Sequence, residues 1–529
     1  MSETFNILDR QWKSTCRLVF GGEVGTLADY QKWLSQRADP IYYFDSAITG
    51  KQVAFASNNY AKGSKRISLE EVDFGKKFEP VPINDMKDVE SLFQAVSDRA
   101  YYAGNVILGN SKFIEKSTNI SDSFYVYGSS RMGDSKYIAH SSMGRLCEYV
   151  FGSAAPGESS YLVRCNDTYH VKRAFELWMT ANSSDCHYVF ALNNCAECMF
   201  CFNLRGVRHA IGNTPLPKDK YLKIKAMLLE QMRDELKAKK SLPSLTEMLA
   251  RTPDHSRQAR ELLAKNLPPG KPEKTSMEPM EKAFSHASKV LFGVELSGLG
   301  KYRPWLARRM SLGERRKSIF SDSYVYVGDY AKYFEIPRHR TVMEREALKL
   351  VELMPPQQGI EKITMDSAPE FLADIAYFAL EYHDGPNSNL IDCMATAYSS
   401  NVCQSGPCVQ IKDSAYNLWP RTSEYVFGCG VLFDSSFCMH CYQSVKLTRC
   451  FEVDASRDCS DCYFCHNCEN VHDSMFCFNA KNLKYAIGNV ELGREKYPEV
   501  KAKILAQIGA SLLKEKDFAP SIYAAGAGK

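Results

Sequence analysis

The clearest chemical signal in the sequence is a run of four cysteines at every third position, with two residues between neighbours: Cys459, Cys462, Cys465 and Cys468. Thiolates at such spacing are typical of iron–sulfur clusters, and four thiolates also form structural zinc sites. The same spacing recurs in a second group, made of Cys195, Cys198 and Cys201. The run departs from the ferredoxin pattern, which has a longer last gap and a proline. We treat these seven cysteines as candidate ligands of an iron–sulfur cluster or zinc.

The same cysteines also fit a packing role. Each lies on a step of three residues that carries ordinary core residues elsewhere in the chain, and a free cysteine behaves as a small hydrophobic side chain. The positions that match the four-cysteine run in the other half of the chain are Ser183, Cys186, Val189 and Leu192. The sequence therefore leaves three roles open for these thiols, which are packing, metal ligation and redox chemistry, and it favours packing.

Histidines and carboxylates provide further candidates. Four histidines lie beside the two cysteine groups: His187, His209, His466 and His472. They fall off the step of three, so we expect them to point outward as surface side chains. Asp122 and Asp134 are twelve residues apart, which would place them about 5 Å apart on neighbouring strands. Paired carboxylates cut polysaccharides, but an aspartate at a corner more often bonds to the turn, so catalysis is the weakest of the functions considered.

The elements that position these residues follow from the step of three. Between Leu108 and Ser141, every third residue is alternately a large apolar residue and a serine. Neither an α-helix, with 3.6 residues per turn, nor a plain strand, with a period of two, produces this pattern. We interpret it as a β-solenoid with one coil per twelve residues, or half a coil if the turn takes about 24 residues.

Aromatic residues recur every twelve residues over the same stretch, at Phe113, Tyr125, Tyr137 and Tyr149. We interpret this column as a stacked ladder on the outside of the sheet. A surface on which sugars or bases stack is the alternative.

Length and composition bound the class of protein. The chain has 529 residues and a formal net charge of only +4, from 66 Lys plus Arg and 62 Asp plus Glu. This balance does not call for a nucleic-acid partner. The first residues lack the basic and apolar regions of a signal peptide, and no apolar run approaches the length of a membrane span. We therefore expect a soluble, cytoplasmic protein whose nineteen cysteines are reduced.

The chain is a tandem duplication, because residues 148–213 match residues 424–489 at a constant offset of 276. The expected fold is mainly β, a duplicated β-solenoid with α+β amino-terminal lobes and capping helices. The predicted domains are an α+β lobe (1–104), a solenoid (105–213), a helical cap and linker (214–285), a second lobe (286–386), a second solenoid (387–489) and a capping helix with tail (490–529).

Local patterns predict individual elements within these domains. Apolar periodicity predicts helices over 27–37, 89–102, 218–240 and 494–515, and a strand pair over 47–57. The segment 154–159 departs from the repeat, and we expect it to bulge out of the sheet. An open solenoid end exposes unpaired strand edges, so the helices at 218–240 and 494–515 are expected to cap them.

The cysteine-rich repeats end in the motif CFNLRxxxxAIGN, and a helix with Lys218, Tyr221 and Lys225 follows. These motifs resemble the Cys- and Asn-rich β-solenoid proteins of archaea and uncultured bacteria. The resemblance covers only the carboxy-terminal part of each half. It implies an intracellular and anaerobic setting, and it transfers no activity and no functional residues.

These observations favour a non-catalytic scaffold or accessory subunit that binds a larger protein assembly through rigid faces. A ribonucleoprotein is compatible with the basic helix at 218–240, and no membrane partner is expected. The two halves are expected to pack about a pseudo-two-fold axis, as in a fused dimer. The alternative is a metalloprotein that uses the seven cysteines for electron transfer or metal delivery. A polymer-processing enzyme is the weaker alternative.

Overall fold

The protein is mainly β, with two long sheets of parallel strands and several helices. A computed structural model describes residues 2–82, 86–268, 274–329, 336–381 and 383–526. We refer to the residues up to 268 as the first half and to those from 274 as the second half. The described residues form a sixteen-stranded sheet in the first half, a thirteen-stranded sheet in the second half, and three two-stranded sheets.

The first half begins with helices and short strands and continues into its long sheet. The elements before the sheet are α1 (Glu3–Phe20), α2 (Leu27–Leu34), β1 (Tyr42–Asp45), β2 (Gln52–Phe55), β3 (Lys65–Ser68), α3 (Val89–Ala95) and β4 (Tyr101–Gly104). The sheet contains β5 (Ile107–Leu108), β6 (Lys112–Glu115), β7 (Thr118–Ser121), β8 (Phe124–Tyr127), β9 (Ser130–Gly133), β10 (Lys136–Ala139), β11 (Ser142–Arg145), β12 (Glu148–Phe151), β13 (Ala154–Gly157), β14 (Ser160–Val163), β15 (Asn166–Tyr169), β16 (Lys172–Ala181), β17 (Ser184–Phe190), β18 (Ala196–Met199), β19 (Arg208–Ile211) and β20 (Thr214–Pro215).

Three helices follow this sheet in the first half: α4 (Lys218–Lys239), α5 (Leu245–Leu249) and α6 (Ser256–Asn266). Like the first half, the second half begins with helices and short strands, which are α7 (Glu278–Phe292), α8 (Arg303–Leu306), β21 (Glu314–Lys317), β22 (Tyr324–Val327), α9 (Glu344–Leu353) and α10 (Ala368–Leu372). The second sheet and last helix are β23 (His383–Asp384), β24 (Ser388–Ile391), β25 (Thr396–Ala397), β26 (Ser400–Cys403), β27 (Cys408–Ala415), β28 (Arg421–Phe427), β29 (Gly430–Phe433), β30 (Ser436–Met439), β31 (Tyr442–Asp454), β32 (Arg457–His466), β33 (His472–Met475), β34 (Ala486–Ile487), β35 (Val490–Glu491) and α11 (Gly493–Glu515).

Most strands in both long sheets pair in parallel with a register of twelve residues, whereas the last pair of each sheet, β19 with β20 and β34 with β35, is antiparallel. Ile138 in β10 lies opposite Val126 in β8 and Val150 in β12. The segment 154–159 keeps this register, since Ala154 in β13 pairs with Ser142 and with Asn166. The expected bulge at 154–159 is therefore wrong, because main-chain pairing does not depend on the side chains that interrupted the pattern.

A left-handed residue recurs at every third position along most of both sheets. Tyr125, Tyr137 and Tyr149 have φ values of 56°, 59° and 57°. This conformation costs an L-residue about 1–2 kcal/mol, and here it is held by hydrogen bonds to the strands on either side. The residue that follows each of these points into the sheet interior. The inward positions follow from the step of three in the sequence, whereas the left-handed residues between them do not.

Serines on the step of three link neighbouring strands inside the first sheet. Ser135 Oγ donates to the carbonyl of Gly133 (2.6 Å) and accepts from the amide of Cys147 (3.1 Å). Ser141 Oγ repeats the arrangement with Ala139 (3.0 Å) and Ser153 (3.1 Å). The serines therefore satisfy main-chain groups that burial would otherwise leave unpaired.

Helices cover the outer faces of the sheets. Helix α1 packs along β8 to β16 through Phe5, Trp12 and Phe20, and α7 occupies the matching place in the second half.

Helices α4 and α11 confirm the predictions for 218–240 and 494–515. The helix predicted over 89–102 is wrong in extent, because α3 ends at Ala95 and β4 follows it. No helix in the described part of the chain is long and apolar enough to cross a membrane.

A segment of each half reaches across to the other half. We call the described residues 42–82 and 86–104 the first arm, and the described residues 314–329 and 336–381 the second arm. The side chain of Asn479 donates to the carbonyl of Tyr101 in the first arm (2.8 Å), and Asn203 donates to the carbonyl of Tyr377 in the second arm (2.9 Å). Both pairs are related by the offset of 276. Each arm thus closes the far end of the opposite sheet.

Candidate functional site

The four-cysteine run lies in the interior of the second sheet. Cys459, Cys462, Cys465 and Cys468 are at most 2% exposed, and valine, leucine and other cysteines surround them. Each thiol donates a weak hydrogen bond to the carbonyl two residues earlier, for example Cys462 to Ser460 (3.3 Å) and Cys465 to Tyr463 (3.5 Å). Burial raises the pKa of Cys462, Cys465 and Cys468, which disfavours the thiolate that metal ligation requires.

The second group occupies the equivalent interior of the first sheet. Cys195, Cys198 and Cys201 are buried, and each thiol donates a weak hydrogen bond to the carbonyl two residues earlier, as Cys198 does to Ala196 (3.5 Å). The neighbouring thiols of Cys186, Cys195 and Cys201 lower the pKa of Cys198. The other thiols of this group hold their protons in return: hydrogen bonding to Cys198 raises the pKa of Cys195, and burial raises that of Cys201. Cys198 is therefore the thiol of this group best placed to carry charge.

The structure does not itself arrange these thiols as a metal site. Within the described ranges, no group of three or more histidine, cysteine, aspartate or glutamate side chains has the geometry to hold a metal ion. Ligation by the seven candidate cysteines stays a prediction, and metal analysis of the purified protein is its test.

The expectation that the histidines are surface residues is wrong for two of them. His466 and His187 point away from the sheet interior, but they are fully buried beneath other elements. His187 Nε2 donates to the carbonyl of Val19 in α1 (2.7 Å), and burial lowers the pKa of His187 to about 4. His209 and His472 are half-buried. Outward direction from a sheet does not mean exposure when a helix or an arm covers that face.

The aspartates of the predicted carboxylate pair have other partners. Asp122 Oδ1 accepts the amide of Asn110 (3.1 Å), and Asp134 pairs with Arg145 (3.0 Å). Neither carboxylate bonds to its own turn: Asp122 accepts a main-chain amide twelve residues earlier, and Asp134 pairs with a side chain eleven residues later.

The aromatic column forms a ladder along the first sheet. Its five rings stack with centroids 4.5–5.3 Å apart: Phe113, Tyr125, Tyr137, Tyr149 and Tyr161. These rings are already in stacking contact, so no base or sugar ring can enter between them. The ladder ends at Phe113, which is 44% exposed, and at Tyr161, and only the outer faces of these two rings have no ring of the ladder beyond them. The ladder interpretation therefore fits better than a stacking surface for polymers.

A buried polar cluster, which the sequence analysis missed, lies where the first arm meets the second sheet. Asp454 accepts hydrogen bonds from His466 Nδ1 (2.9 Å), from the Tyr523 hydroxyl (2.9 Å) and from the Tyr60 hydroxyl (3.5 Å). Burial raises the pKa of Tyr60 and Tyr523, so both phenols keep their protons and act as donors. The cluster joins the first arm, the second sheet and the carboxy-terminal segment.

The tautomer of His466 decides what this cluster can do. The amide of Ala103 donates to His466 Nε2 (3.1 Å), so the ring proton is on Nδ1, where it bonds to Asp454. An aspartate that orients a histidine in this way is familiar from hydrolases, where the free Nε2 acts as a base. Here the first arm occupies Nε2. The pair therefore holds the arm in place and has no nitrogen left for proton transfer.

Glu452 lies two residues before Asp454 and is also buried. Its carboxylate accepts the Ser521 hydroxyl (2.8 Å) and the Ile522 amide (2.9 Å). Burial raises the pKa of Glu452 to about 7. His440 lies 3.8 Å away, but burial lowers its pKa to about 3, so it is neutral and does not offset the charge. Protonation of Glu452 near neutral pH is therefore the main titration of this site.

At the equivalent position in the first half, arginine side chains neutralise the buried glutamate. Glu176 is buried between Arg37 (3.0 Å) and Arg164 (3.2 Å). Two guanidinium groups neutralise Glu176, whereas no arginine among the described residues contacts Glu452 at such distances, so the two junctions differ in how they respond to pH. In the sequence, the two junctions differ in that Arg164 of the first half is replaced by His440 at the offset of 276.

Comparison with known proteins adds no relative. No family model, curated protein or solved structure matches the chain.

Proposed function

We propose that each half is a β-solenoid of twelve-residue coils, and that the pair acts as a non-catalytic scaffold or accessory subunit within a larger macromolecular assembly. The observation that carries the proposal is the reciprocal closure of the two sheets by the arms, seen at Asn479 with Tyr101 and at Asn203 with Tyr377. It joins the halves into one unit with fixed outer faces, which is what a scaffold requires.

The strand register supports the solenoid. Residues twelve apart lie side by side in the sheets, and left-handed residues recur at every third position, so four corners would fall in each coil. Each coil then buries its interior residues only against its neighbours, as solenoids do.

The placement of reactive groups supports a non-catalytic role. The candidate cysteines lie in the sheet interiors, and the arm occupies the free nitrogen of His466. Both Asp122 and Asp134 have partners of their own. A catalyst would expose such thiols, imidazoles and carboxylates to its substrate. Here they are buried or bonded to other parts of the chain, where they stabilise the fold.

Helix α4 offers the surface for the partner. Its outer face carries the exposed side chains of Lys218, Lys220 and Lys223, and its inner face packs on the core through Tyr221 and Leu228. A basic, solvated helix on a rigid base suits an acidic protein surface or the phosphates of a ribonucleoprotein.

Size-exclusion chromatography of lysate from the source cells tests the proposal. The tagged wild-type protein should elute with a complex much larger than itself, and the double variant Lys220→Glu/Lys223→Glu should elute as the free chain. Matched charge reversals on α11, Lys496→Glu/Lys503→Glu, should leave the complex intact. Nuclease treatment then separates a ribonucleoprotein from a purely protein assembly. A wild-type protein that elutes as the free chain contradicts the scaffold role.

A metalloprotein is the second candidate, and the lowered pKa of Cys198 among three other thiols favours it. Electron transfer or metal delivery would then rest on the seven candidate cysteines. Metal analysis and an absorption spectrum of protein purified without oxygen distinguish the two functions. Stoichiometric iron with a broad band in the visible range, or stoichiometric zinc, would replace the scaffold proposal.

A further inference from the structure

A cavity of about 110 Å³ lies where the two halves face each other. Asp39, Arg131 and Asn166 line it from the first half, and Tyr326 and Trp419 line it from the second half. An engineered protein cavity of about 150 Å³ holds one benzene molecule. The space therefore suits a guest of about the size of one aromatic ring.

The first-half wall of this cavity carries polar atoms without partners. Asn166 is 2% exposed, and its Oδ1 makes no hydrogen bond with any described residue. The Nε–H of Arg131 is also buried and has no partner in the described part of the chain, although the two other nitrogens of the guanidinium bind Asp39 (2.9 Å) and the carbonyl of Ala56 (2.6 Å). Buried polar groups in folded proteins are paired as a rule. An unused acceptor and an unused donor beside one cavity indicate a guest that supplies both.

The charge balance points to a neutral guest. Asp39 already neutralises Arg131, and the other carboxylates of the wall, Asp167 and Asp329, have partners of their own. A charged guest would therefore enter a confined space without a counter-charge, which is unfavourable. The remaining wall is largely apolar and includes the indole of Trp419 and the side chain of Met143.

The cavity breaks the pseudo-symmetry of the molecule. At the offset of 276, Pro407 replaces Arg131, and Tyr442 replaces Asn166. The Tyr442 hydroxyl is paired with His440 Nδ1 (2.7 Å), so the position that matches Asn166 offers no unpaired atom. The second half contributes instead the buried hydroxyl of Tyr326, which has no hydrogen-bond partner among the described residues. The unpaired polar atoms of the wall are thus not repeated at the offset of 276.

From these observations we propose that the cavity is a binding site for a small neutral aromatic molecule that both donates and accepts a hydrogen bond. Phenols and aromatic amides are the chemical classes that meet this description. The donor of the guest pairs with Asn166 Oδ1, its acceptor pairs with Arg131 Nε–H, and its ring packs against Trp419. This site is independent of the scaffold role proposed above.

Isothermal titration calorimetry on the full chain tests the site, with benzamide and phenol as polar probes and toluene as the apolar probe. We expect wild-type protein to bind benzamide or phenol. Asn166→Leu should weaken binding of these polar probes at least tenfold and leave toluene binding unchanged or tighter. Asn182→Leu, an equal change on the surface of the same sheet, should alter neither.

Three results would overturn the proposal. One is a wild-type protein that binds neither benzamide nor phenol, which would mean that the cavity holds only water. Another is an Asn166→Leu variant that binds the polar probes as well as wild type does. The third is a preference for benzoate or benzylamine over benzamide. If Asn166→Leu does not fold, Ala155→Phe fills the cavity instead and should abolish binding of every probe.

Discussion

The side chain of Asn479 donates a hydrogen bond of 2.8 Å to the main-chain carbonyl of Tyr101, 378 positions earlier in the chain. The pair Asn203 and Tyr377 repeats this contact in the other direction. Tyr102, next to Tyr101, lies against the ring of His466 with centroids 5.0 Å apart. The amino-terminal arm of one half is thereby part of the structure of the other half.

Loss of the Asn479 contact should loosen the first arm. Asn479→Ala leaves the partly buried carbonyl of Tyr101 without this donor, which should lower the free energy of unfolding by about 0.5–1.5 kcal/mol. Urea unfolding measures the loss, and hydrogen exchange should show faster exchange in β4.

The control for this change is Asn470→Ala. Asn470 is also left-handed (φ 53°, against 51° for Asn479), but its side chain bonds to Asn482 and His472 on the surface and not to an arm. Both variants therefore share the cost of placing alanine in that conformation, about 1 kcal/mol. Equal destabilisation by the two changes would show that the contact with the arm contributes nothing.

Glu452 should make stability depend on pH. Its pKa is about 7 in the folded protein, above the ordinary 4.5, so folding favours the protonated form. The stabilising effect is complete below pH 4.5 and is lost as the pH rises towards 7, by about 3 kcal/mol in all. Glu452→Gln should remove this loss, so that the variant gains on wild type between pH 5 and pH 8 in urea unfolding. Glu469→Gln, at an exposed ion pair with Lys481, should not. Parallel pH profiles of wild type and Glu452→Gln would refute the assignment.

The interior cysteines should behave as core residues. Cys465→Val introduces the residue found at the equivalent position, Val189, and should cost at most about 1–3 kcal/mol of stability. Its absorption spectrum should match that of wild type. The control is Cys186→Val, the same change at a cysteine of the first sheet that is not one of the seven candidate ligands. Loss of bound iron or zinc from Cys465→Val alone would instead identify this thiol as a ligand.

The thiols should react only when the protein opens. All nineteen cysteines are buried, and burial raises the pKa of Cys147 to about 11 and that of Cys165 to about 12. Because the thiolate is the reactive form, a thiol reagent at pH 8 should modify native protein no faster than it unfolds, and nineteen groups should appear in denaturant. Rapid modification of several thiols in native protein would contradict this placement.

The serines whose hydroxyl groups link neighbouring strands of the first sheet should contribute to stability, and serines without such hydrogen bonds should not. Ser141→Ala leaves the buried amide of Ser153 unpaired, and we expect a loss of about 1–3 kcal/mol. Ser130 is equally buried, but its hydroxyl has no partner among the described residues, so Ser130→Ala should change stability much less. Thermal unfolding of the two variants provides the comparison, and equal losses of stability would argue against a contribution from the serine hydrogen bonds.

Several features were predictable because they depend on neighbours in the sequence. Helices α4 and α11 have apolar faces with a helical period, and both occupy the predicted segments. The interior positions of the sheets follow the step of three, since each inward residue is three positions from the next. Helix α1 was not predicted, and α3 was predicted too long, because the arm around it is shaped by the opposite half.

The sequence by itself determined the twelve-residue spacing and the residue types of the sheet interiors, because parallel strands place each residue beside the one twelve positions later. Only the tertiary structure decided the exchange of the arms, the burial of His466 and the cavity at Asn166. These features join segments hundreds of residues apart, and such contacts have no period that a single sequence can display. They depend on how the two halves pack, and that packing brings Asp454 to Tyr60 and Arg131 to Trp419.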